Sequence, residues 1–168
     1  MNKHKLLPTY RHKWLLALFC LATYILTGCE SNTKYYQYRP VTKDGWMKKD
    51  TLFFLLPADL QAGDYEAEIG IRNENAYRYR DIWLTVSQNI EDTLLYKTDT
   101  LHFYLADKSG KWCDGNNTGN LHQHVFNSGK TYNIAHGAEK CYFKVTHIMS
   151  DNPLKGITDL GIRLVKKQ

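Results

Sequence analysis

The sequence lacks the short motifs that mark common enzyme active sites. Its 168 residues contain no G-x-S-x-G nucleophile elbow, no H-E-x-x-H metal pair, no phosphate-binding P-loop and no dinucleotide glycine fingerprint. Carboxylate pairs such as Glu66 with Glu68 lie on the expected solvent face of a strand, whereas a glycosidase needs two carboxylates that face each other across a cleft. We therefore expect no enzymatic activity and no cofactor.

Beyond its first 13 residues the sequence also lacks the excess of positive charge that nucleic-acid binding would need. It has 22 Lys and Arg against 17 Asp and Glu, but four of those cations lie within the first 13 residues. Without them 18 basic residues face 17 acidic ones, and no stripe of Lys and Arg remains. A nucleic-acid-binding domain usually carries such a stripe or patch. Nucleic acid is therefore not an expected partner.

No apolar run in the sequence is long enough for a transmembrane helix. Residues 14–26 form a run of 13 in which only Thr23 is strongly polar, whereas a membrane span needs about 18 or more apolar residues. Four cations and no acidic residue precede this run. A charged segment followed by a short apolar one is the pattern of a secretory signal.

The apolar run ends in the sequence LTGC (26–29), which resembles the bacterial lipobox. In that motif the cysteine thiol is acylated before the signal is cleaved in front of it. We therefore expect residues 1–28 to be a lipoprotein signal peptide and Cys29 to carry the lipid that anchors the protein to a membrane. Residues 29–45 are polar and tyrosine-rich, and are expected to form a tether with a short edge strand. Residues 46–168 are expected to form one domain.

The rest of the chain shows no convincing helical periodicity, because its apolar and polar residues alternate. In residues 64–72, Tyr65, Ala67, Ile69 and Ile71 would share one face of a strand. Turns rich in Gly, Asn and Asp separate this segment from further candidate strands at 77–88, 99–107, 121–126, 140–149 and 157–165. The pattern predicts an all-β fold, a single antiparallel β-sandwich of the jelly-roll or immunoglobulin-like type.

Cysteines are scarce, and two of the four have an expected use in export. Cys20 lies in the signal and Cys29 in the lipobox. The remaining Cys113 and Cys141 are a candidate disulfide in an exported protein, which would stabilise the fold by roughly 3.5 kcal/mol in the chain-entropy model. Unlinked thiols are the alternative.

A metal site shared with nearby histidines is a third possible role for these cysteines. His122 and His124 form an H-x-H pair whose imidazoles would share a face on a strand. Further ligands could come from residues near in sequence, which are Cys113, His136, Cys141 and His147. The spacing matches no zinc motif, and surface histidines on a strand are the alternative that we favour. No metal site is therefore expected.

Residues 106–124 form the most unusual segment, because glycines surround Trp112 and polar acceptors such as Asp107 and Asp114 lie beside it. One interpretation is a binding loop that presents Trp112 to a sugar or to a partner protein. The other is a long connection pinned by a buried tryptophan, with glycines that supply positive φ angles.

Several blocks of the sequence resemble one family in their order and spacing. They are Trp46 before DTLFF, the block IRNENAYRYRDIWL (71–84), Gly110 with Trp112, and the segment from Met149 to Leu164. Together they resemble the gliding-motility lipoproteins of the GldH type from Bacteroidetes, over about residues 35–166. That family has no catalytic residues to carry over.

The resemblance implies a non-enzymatic lipoprotein of the cell envelope. It would associate with the gliding and type IX secretion apparatus through contacts with other envelope proteins. Glu30 alone is acidic directly after Cys29, which favours the periplasm-facing leaflet of the outer membrane over the cell surface. A carbohydrate-binding outer-membrane lipoprotein, with Trp112 as the stacking residue, is the alternative function.

Three D-T-L sequences resemble the O-glycosylation acceptor of exported Bacteroidetes proteins. Their threonines are Thr51, Thr93 and Thr100. The same three residues are also common where a turn leads into a strand, so both interpretations are retained.

Overall fold

The computed structural model describes residues 32–90, 94–113, 116–135 and 138–167, and within these ranges strands are the main regular element. One turn of 3-10 helix occurs at Ala138–Lys140, and no helix in the described part of the chain has the length and hydropathy needed to cross a bilayer. The strands are β1 (Thr33–Pro40), β2 (Leu52–Leu55), β3 (Gly63–Glu74), β4 (Asp81–Gln88), β5 (Lys97–Tyr104), β6 (Asn116–Thr118), β7 (Leu121–Ile134), β8 (Tyr142–His147) and β9 (Ile157–Lys166).

The strands form two antiparallel sheets with the apolar core between them. The five-stranded sheet has the order β1-β9-β3-β7-β6, and the four-stranded sheet has the order β2-β8-β4-β5. Each sheet presents one face to the core because successive side chains of a strand point to opposite sides. The prediction of an all-β antiparallel sandwich is confirmed.

The alternating pattern in the sequence places the core residues of β3 and β4. Tyr65, Ala67, Ile69 and Ile71 are at most 2% exposed, and Ile82, Leu84 and Val86 of β4 face them from the other sheet. Fully burying one such aliphatic side chain stabilises a fold by about 1.5–3 kcal/mol. The core-facing residues assigned to these two strands from the sequence are therefore confirmed.

Strand β1 lies within residues 29–45, the segment expected to form a tether with a short edge strand. It pairs with β9 from Thr33 opposite Val165 to Pro40 opposite Asp159, and the compact unit begins at Asn32. β1 is thus the edge strand of the five-stranded sheet. The polar composition that suggested a tether is that of an edge strand with one face in solvent.

A pair of glycines explains how this polar strand is held. Gly70 of β3 and Gly161 of β9 lie directly opposite each other, and a Cβ atom on either would come within 2.8 Å of the Tyr38 side chain. The phenol ring therefore packs flat on bare backbone. The Arg72 guanidinium also lies over the ring, 3.9 Å from its centroid, and burial raises the pKa of the Tyr38 hydroxyl. These contacts fix β1 to the sheet.

Two segments differ from the strands expected from the sequence. Residues 77–80 precede β4 as a loop, although their alternation continues that of the strand. Strand β7 runs on to Ile134 across Gly129, whose φ is +70°, and the register with β3 shifts at this point. A bulge of this kind lets a strand continue through a glycine that looks like a turn in the sequence.

His147 of β8 is buried beneath Trp46. Its Nε2–H donates to the Trp46 carbonyl oxygen at 2.9 Å, and its Nδ1 has no hydrogen-bond partner among the described residues. A proton added at Nδ1 would therefore be buried without an acceptor. Desolvation lowers the pKa of His147 despite the hydrogen bond to Trp46, and Lys48 lowers it further.

Stability is expected to fall as the pH decreases below about 6.5, the pKa of histidine in an unfolded chain. In that range the unfolded state takes up a proton that folded His147 does not, so the free energy of unfolding decreases by at most about 1.4 kcal/mol per pH unit for this group. Urea unfolding at several pH values between 7.5 and 5 would measure the slope. The variant His147→Gln, which keeps a donor for the Trp46 carbonyl, should have a shallower slope, and an unchanged slope would contradict this assignment.

Candidate functional site

The side chains of the four-stranded sheet that point away from the core form a broad exposed surface, which we name the outer face. Alternation along each strand selects them, because their neighbours in sequence are buried in β4 and β8 and half-buried within β5. The outer face consists of Phe53, Leu55, Asp81, Trp83, Thr85, Ser87, Thr98, Thr100, His102, Tyr104, Tyr142, Lys144 and Thr146.

Exposed large apolar side chains are concentrated on this side of the molecule. Of the eleven among the described residues, eight lie on the four-stranded sheet or in the segments adjoining it, and the other three lie on the five-stranded sheet. The eight are Phe53, Leu55, Trp83, Leu94, Leu95, Tyr96, Tyr104 and Ile148. A concentration of this kind, as opposed to scattered single residues, is typical of a contact surface.

One end of the outer face is built around Trp83, and we name it the tryptophan end. Trp83 of β4 lies directly opposite His102 of β5, and their rings stack with centroids 4.0 Å apart. His102 Nε2–H donates to Asp81 Oδ2 at 2.6 Å, which holds the imidazole in this orientation. Tyr104 meets His102 edge-on, and the Arg80 guanidinium lies 4.8 Å from the Tyr104 ring centroid. The result is a rigid aromatic group with a cation at its rim.

The opposite end is built around Lys144, and we name it the lysine end. The Lys144 ammonium lies 4.1 Å from the Tyr96 ring centroid, 5.1 Å from that of Tyr142 and 5.5 Å from that of Phe53. The Tyr142 hydroxyl donates a short hydrogen bond to the Tyr96 oxygen. This bond, followed by the contact with Lys144, lowers the pKa of Tyr96, and the same bond raises the pKa of Tyr142. Aromatic rings with a cation therefore occur at both ends.

Short hydroxyl side chains fill the area between the two ends. Thr85 lies opposite Thr100 on one neighbouring strand and opposite Thr146 on the other. The Ser87 and Thr98 hydroxyls, one row further on, are 2.8 Å apart. The middle of the outer face is therefore low and polar, and the aromatic groups stand above it at each end.

A cavity of about 350 Å³ opens beside the tryptophan end. It is lined by Arg80, Tyr104, Ala106, Asp107, Lys108 and Cys113. The Asp107 carboxylate is used locally, because its Oδ1 accepts hydrogen bonds from the Ser109 amide, the Ser109 hydroxyl and the Lys111 amide. These bonds, that from the Ser109 hydroxyl first, lower the pKa of Asp107. This candidate site residue therefore shapes a turn at the mouth of the cavity.

Trp112, the other candidate of this loop, is held in place by neighbours. Its indole N–H donates to Asn75 Oδ1 at 3.1 Å, its ring centroid is 5.0 Å from that of His122, and its backbone forms a bridge with Ala106. Gly110 nearby has a φ of +84°. These contacts match the interpretation of a pinned connection with glycines at positive φ. Asp114, the third candidate of the loop, lies outside the described residues.

His122 and His124 do share a face of β7, but it is the buried face. They are 4% and 3% exposed. Their Nε2 atoms donate to the side-chain oxygens of Asn75 and Asn73, at 2.7 and 3.1 Å. The favoured interpretation as surface histidines was therefore wrong. Among the described residues, no group of three or more His, Cys, Asp or Glu side chains is arranged to hold a metal ion.

Cys113 and Cys141 are not joined by a disulfide in the structure. Cys113 is exposed at the cavity beside the tryptophan end, whereas Cys141 is buried at the start of β8. The Cys141 amide donates to the Ala138 carbonyl oxygen, within the 3-10 turn. This arrangement is the unlinked alternative, and the candidate disulfide is not formed.

The candidate modification sites are only partly described. Thr51 is half-buried directly before β2, and Thr100 is exposed in the middle of β5 on the outer face. Asp50-Thr51-Leu52 thus leads into a strand, as the structural interpretation of D-T-L expects, whereas Thr100 lies within one. Cys29 and Thr93 lie outside the described residues.

The aromatic residues of the outer face were not predicted from the sequence. A signal for them exists in DIWLTV (81–86), because Trp83 alternates with Ile82 and Leu84, which the same pattern assigns to the core. An aromatic side chain on the polar side of an amphipathic strand is unusual unless it contacts something. Lys144 and Tyr142 carry a similar signal in CYFKVT (141–146), beside buried Phe143.

Comparisons with known proteins agree on one family. The sequence model of that family, described as GldH lipoprotein, matches residues 33–164. The chain is 23% identical over 164 residues to the gliding motility lipoprotein GldH homolog of Christiangramia forsetii, covering 93% of this chain and 98% of the relative. It is 25% identical over 158 residues to the gliding motility lipoprotein GldH of Flavobacterium johnsoniae, covering 89% and 95%.

Among solved structures, a chain of tomato aspermy virus matches 93% of this chain and 95% of its own length. The sequence identity is 12% and the TM-score 0.38. A similarity at this level carries no argument about function or descent.

Proposed function

The chain belongs to the GldH lipoprotein family, and on that basis we propose that it is a non-enzymatic component of the gliding motility and type IX secretion apparatus. In this proposal the protein is anchored by lipid at Cys29 and contacts other envelope proteins through the outer face of the four-stranded sheet. The names of its two relatives, both gliding motility lipoproteins, support the association with motility.

The exposure of aromatic side chains at both ends of the outer face supports the choice of this surface as the contact site. Trp83 is 41% and Tyr104 51% exposed, and Phe53 and Tyr96 are each 52% exposed. Large aromatic side chains next to cations are enriched in the energetic centres of protein interfaces. Their pre-stacked arrangement reduces the conformational entropy lost on binding.

The lipid anchor and its position are also part of the proposal. Cys29 would hold the protein on the periplasm-facing leaflet of the outer membrane, because Glu30 alone is acidic in the residues directly after it. The compact unit begins at Asn32, so only residues 29–31 would separate the lipid from that unit. Partners within reach would then be proteins of the same membrane.

The carbohydrate-binding alternative has less support. Sugar stacking needs an accessible aromatic ring face, but the Trp112 ring is half-buried against His122 and its N–H is bonded to Asn75. On the outer face, Trp83 already stacks on His102, so one face of its ring is occupied. A glycan array that detects specific binding would restore this alternative.

The double variant Trp83→Ala, Tyr104→Ala is expected to reduce capture of the partner at least about tenfold, since aromatic residues at an interface centre each contribute about 2 kcal/mol or more. A photo-crosslinking amino acid at Thr100, in the middle of the outer face, would be activated in native envelopes of a gliding relative. Mass spectrometry would then identify and quantify the captured protein.

Tyr36→Ala is the matched control for that variant. Tyr36 is 44% exposed and aromatic but lies on the five-stranded sheet, so its loss should leave capture within about twofold, the ordinary effect of a residue outside an interface. An equal loss in both variants, or no protein captured from Thr100, would contradict the choice of the outer face. Normal spreading of a clean deletion strain would contradict the motility role itself.

A further inference from the structure

The cavity beside the tryptophan end has an apolar floor and two cations at its rim. Ala106 is buried and the Tyr104 ring and Cys113 thiol complete the apolar lining. Arg80 and Lys108, which are both exposed, line it on the charged side. A pocket of this composition fits a ligand group that is apolar at one end and negatively charged at the other.

These two cations have no partner of opposite charge in the described part of the chain. Every described ion pair involves other residues, and Arg80 contacts only the Tyr104 ring through its guanidinium. Among the described residues of the lining Asp107 is the single carboxylate, and three hydrogen bonds direct it into its own turn. The described lining thus carries two cations and one anion, and the anion already accepts three hydrogen bonds from the protein.

Asp81 of the outer face is hydrogen-bonded, whereas the cations of the cavity and of the lysine end have no carboxylate partner among the described residues. The Asp81 carboxylate accepts a hydrogen bond from His102 Nε2 at 2.6 Å. At the far end of the outer face, Lys144 contacts three aromatic rings and none of the described carboxylates pairs with it. The unpaired charge along the outer face is therefore positive, and electrostatic complementarity requires a negative partner surface.

We propose that this cavity binds a carboxylate-bearing apolar group of the partner protein, as part of an acidic, apolar segment that lies along the outer face. The apolar part packs on Tyr104, Ala106 and Cys113, and the carboxylate pairs with Arg80 and Lys108. The guanidinium of Arg80 presents a planar fork of donors that suits a carboxylate. This inference rests on the proposed function, for which it specifies the chemistry of the partner.

The thiol of Cys113 reports directly on whether the cavity is occupied. The experiment uses the processed, lipidated protein in nanodiscs, with N-acetylphenylalanine as probe and its uncharged amide as matched control. Iodoacetamide alkylates exposed Cys113, and buried Cys141 contributes no background. A ligand of this size binds with a dissociation constant of about millimolar, and at several times that concentration it should slow alkylation at least about threefold.

Charge dependence separates the proposal from simple apolar binding. The double variant Arg80→Gln, Lys108→Gln should lose the protection, while Arg78→Gln should retain it. Arg78 is an exposed neighbour that pairs with Asp151 and does not line the cavity. Both variants leave the core untouched, and thermal unfolding would check that they remain folded.

Three outcomes would overturn the inference. They are equal protection by the acid and by its amide, no protection by either, or protection that survives in the double variant. None of these outcomes depends on crosslinking from Thr100, so the proposed docking through the outer face could stand without the carboxylate site. Conversely, failure of that crosslinking with intact protection would separate the cavity from the proposed function.

Discussion

Gly156→Ala is expected to destabilise the domain by about 3 kcal/mol or more, and so to lower the midpoint of thermal unfolding by roughly 10 °C. Gly156 has a φ of +84°, and a Cβ atom there would lie 2.4 Å from the Tyr77 amide nitrogen and 2.5 Å from its Cα. The left-handed conformation costs a residue with a side chain about 1–2 kcal/mol. Overlap with packed atoms adds about 1–3 kcal/mol.

The backbone cannot easily move to relieve this overlap. Tyr77 is 3% exposed, and its hydroxyl donates to the Asp81 carbonyl oxygen at 2.8 Å. The Gly156 carbonyl oxygen in turn accepts a hydrogen bond from the Glu74 amide at 2.8 Å. Moving either segment would therefore break a contact that joins the loop before β4 to the turn before β9.

Gly110→Ala is the control that isolates the overlap from the backbone conformation. Gly110 has the same φ of +84°, but a Cβ atom there would meet nothing within 4 Å. We expect it to cost only the conformational part, about 1–2 kcal/mol. Urea unfolding of the two variants beside the parent would measure the difference. An equal loss of unfolding free energy in the two variants would show that the overlap with Tyr77 does not destabilise the fold.

The strands that could be predicted from the sequence are those in which local pattern and tertiary position agree. In β3, alternation alone assigns Tyr65, Ala67, Ile69 and Ile71 to the core, because a half-buried strand allows no other arrangement. The same holds for Ile82, Leu84 and Val86 in β4. Alternation failed at residues 77–80, where Tyr77 is buried but its backbone packs against the chain at Gly156. No local pattern encodes a contact between segments so distant in sequence.

The candidate site was harder to predict than the fold, and the two tryptophans show why. Trp112 drew attention because glycines and polar residues surround it, yet its role is fixed by Asn75, 37 residues earlier in the sequence. Trp83 lies in a regular strand and was not among the candidate site residues. Its stacking partner, His102, is brought to it by the pairing of β4 with β5, which the sequence does not specify residue by residue.

Under the proposed anchoring in the outer membrane, Cys29→Ala is expected to remove the protein from that membrane almost completely. In a lipobox the thiol is acylated before cleavage, so a variant without the thiol should keep residues 1–28 and carry no acyl chain. Each buried methylene of a lipid contributes about 0.8 kcal/mol to membrane binding, and the variant would lose all of this. The uncleaved apolar run would hold the variant at the inner membrane, where the lipoprotein signal is normally cleaved.

Cys20→Ala is the matched control for the anchor, because it removes a cysteine from the same apolar run but leaves LTGC (26–29) intact. This variant should be acylated, cleaved and sorted like the parent. Metabolic labelling with palmitate, the mass of the purified protein and separation of the two membranes by density would compare all three chains. If Cys29→Ala reached the outer membrane at the mass of the parent, the lipobox assignment would be wrong, and β1 would have no lipid anchor before it. If the variant stays behind while its domain folds normally, then folding and delivery are separable, and loss of spreading in that strain would arise from the missing anchor alone.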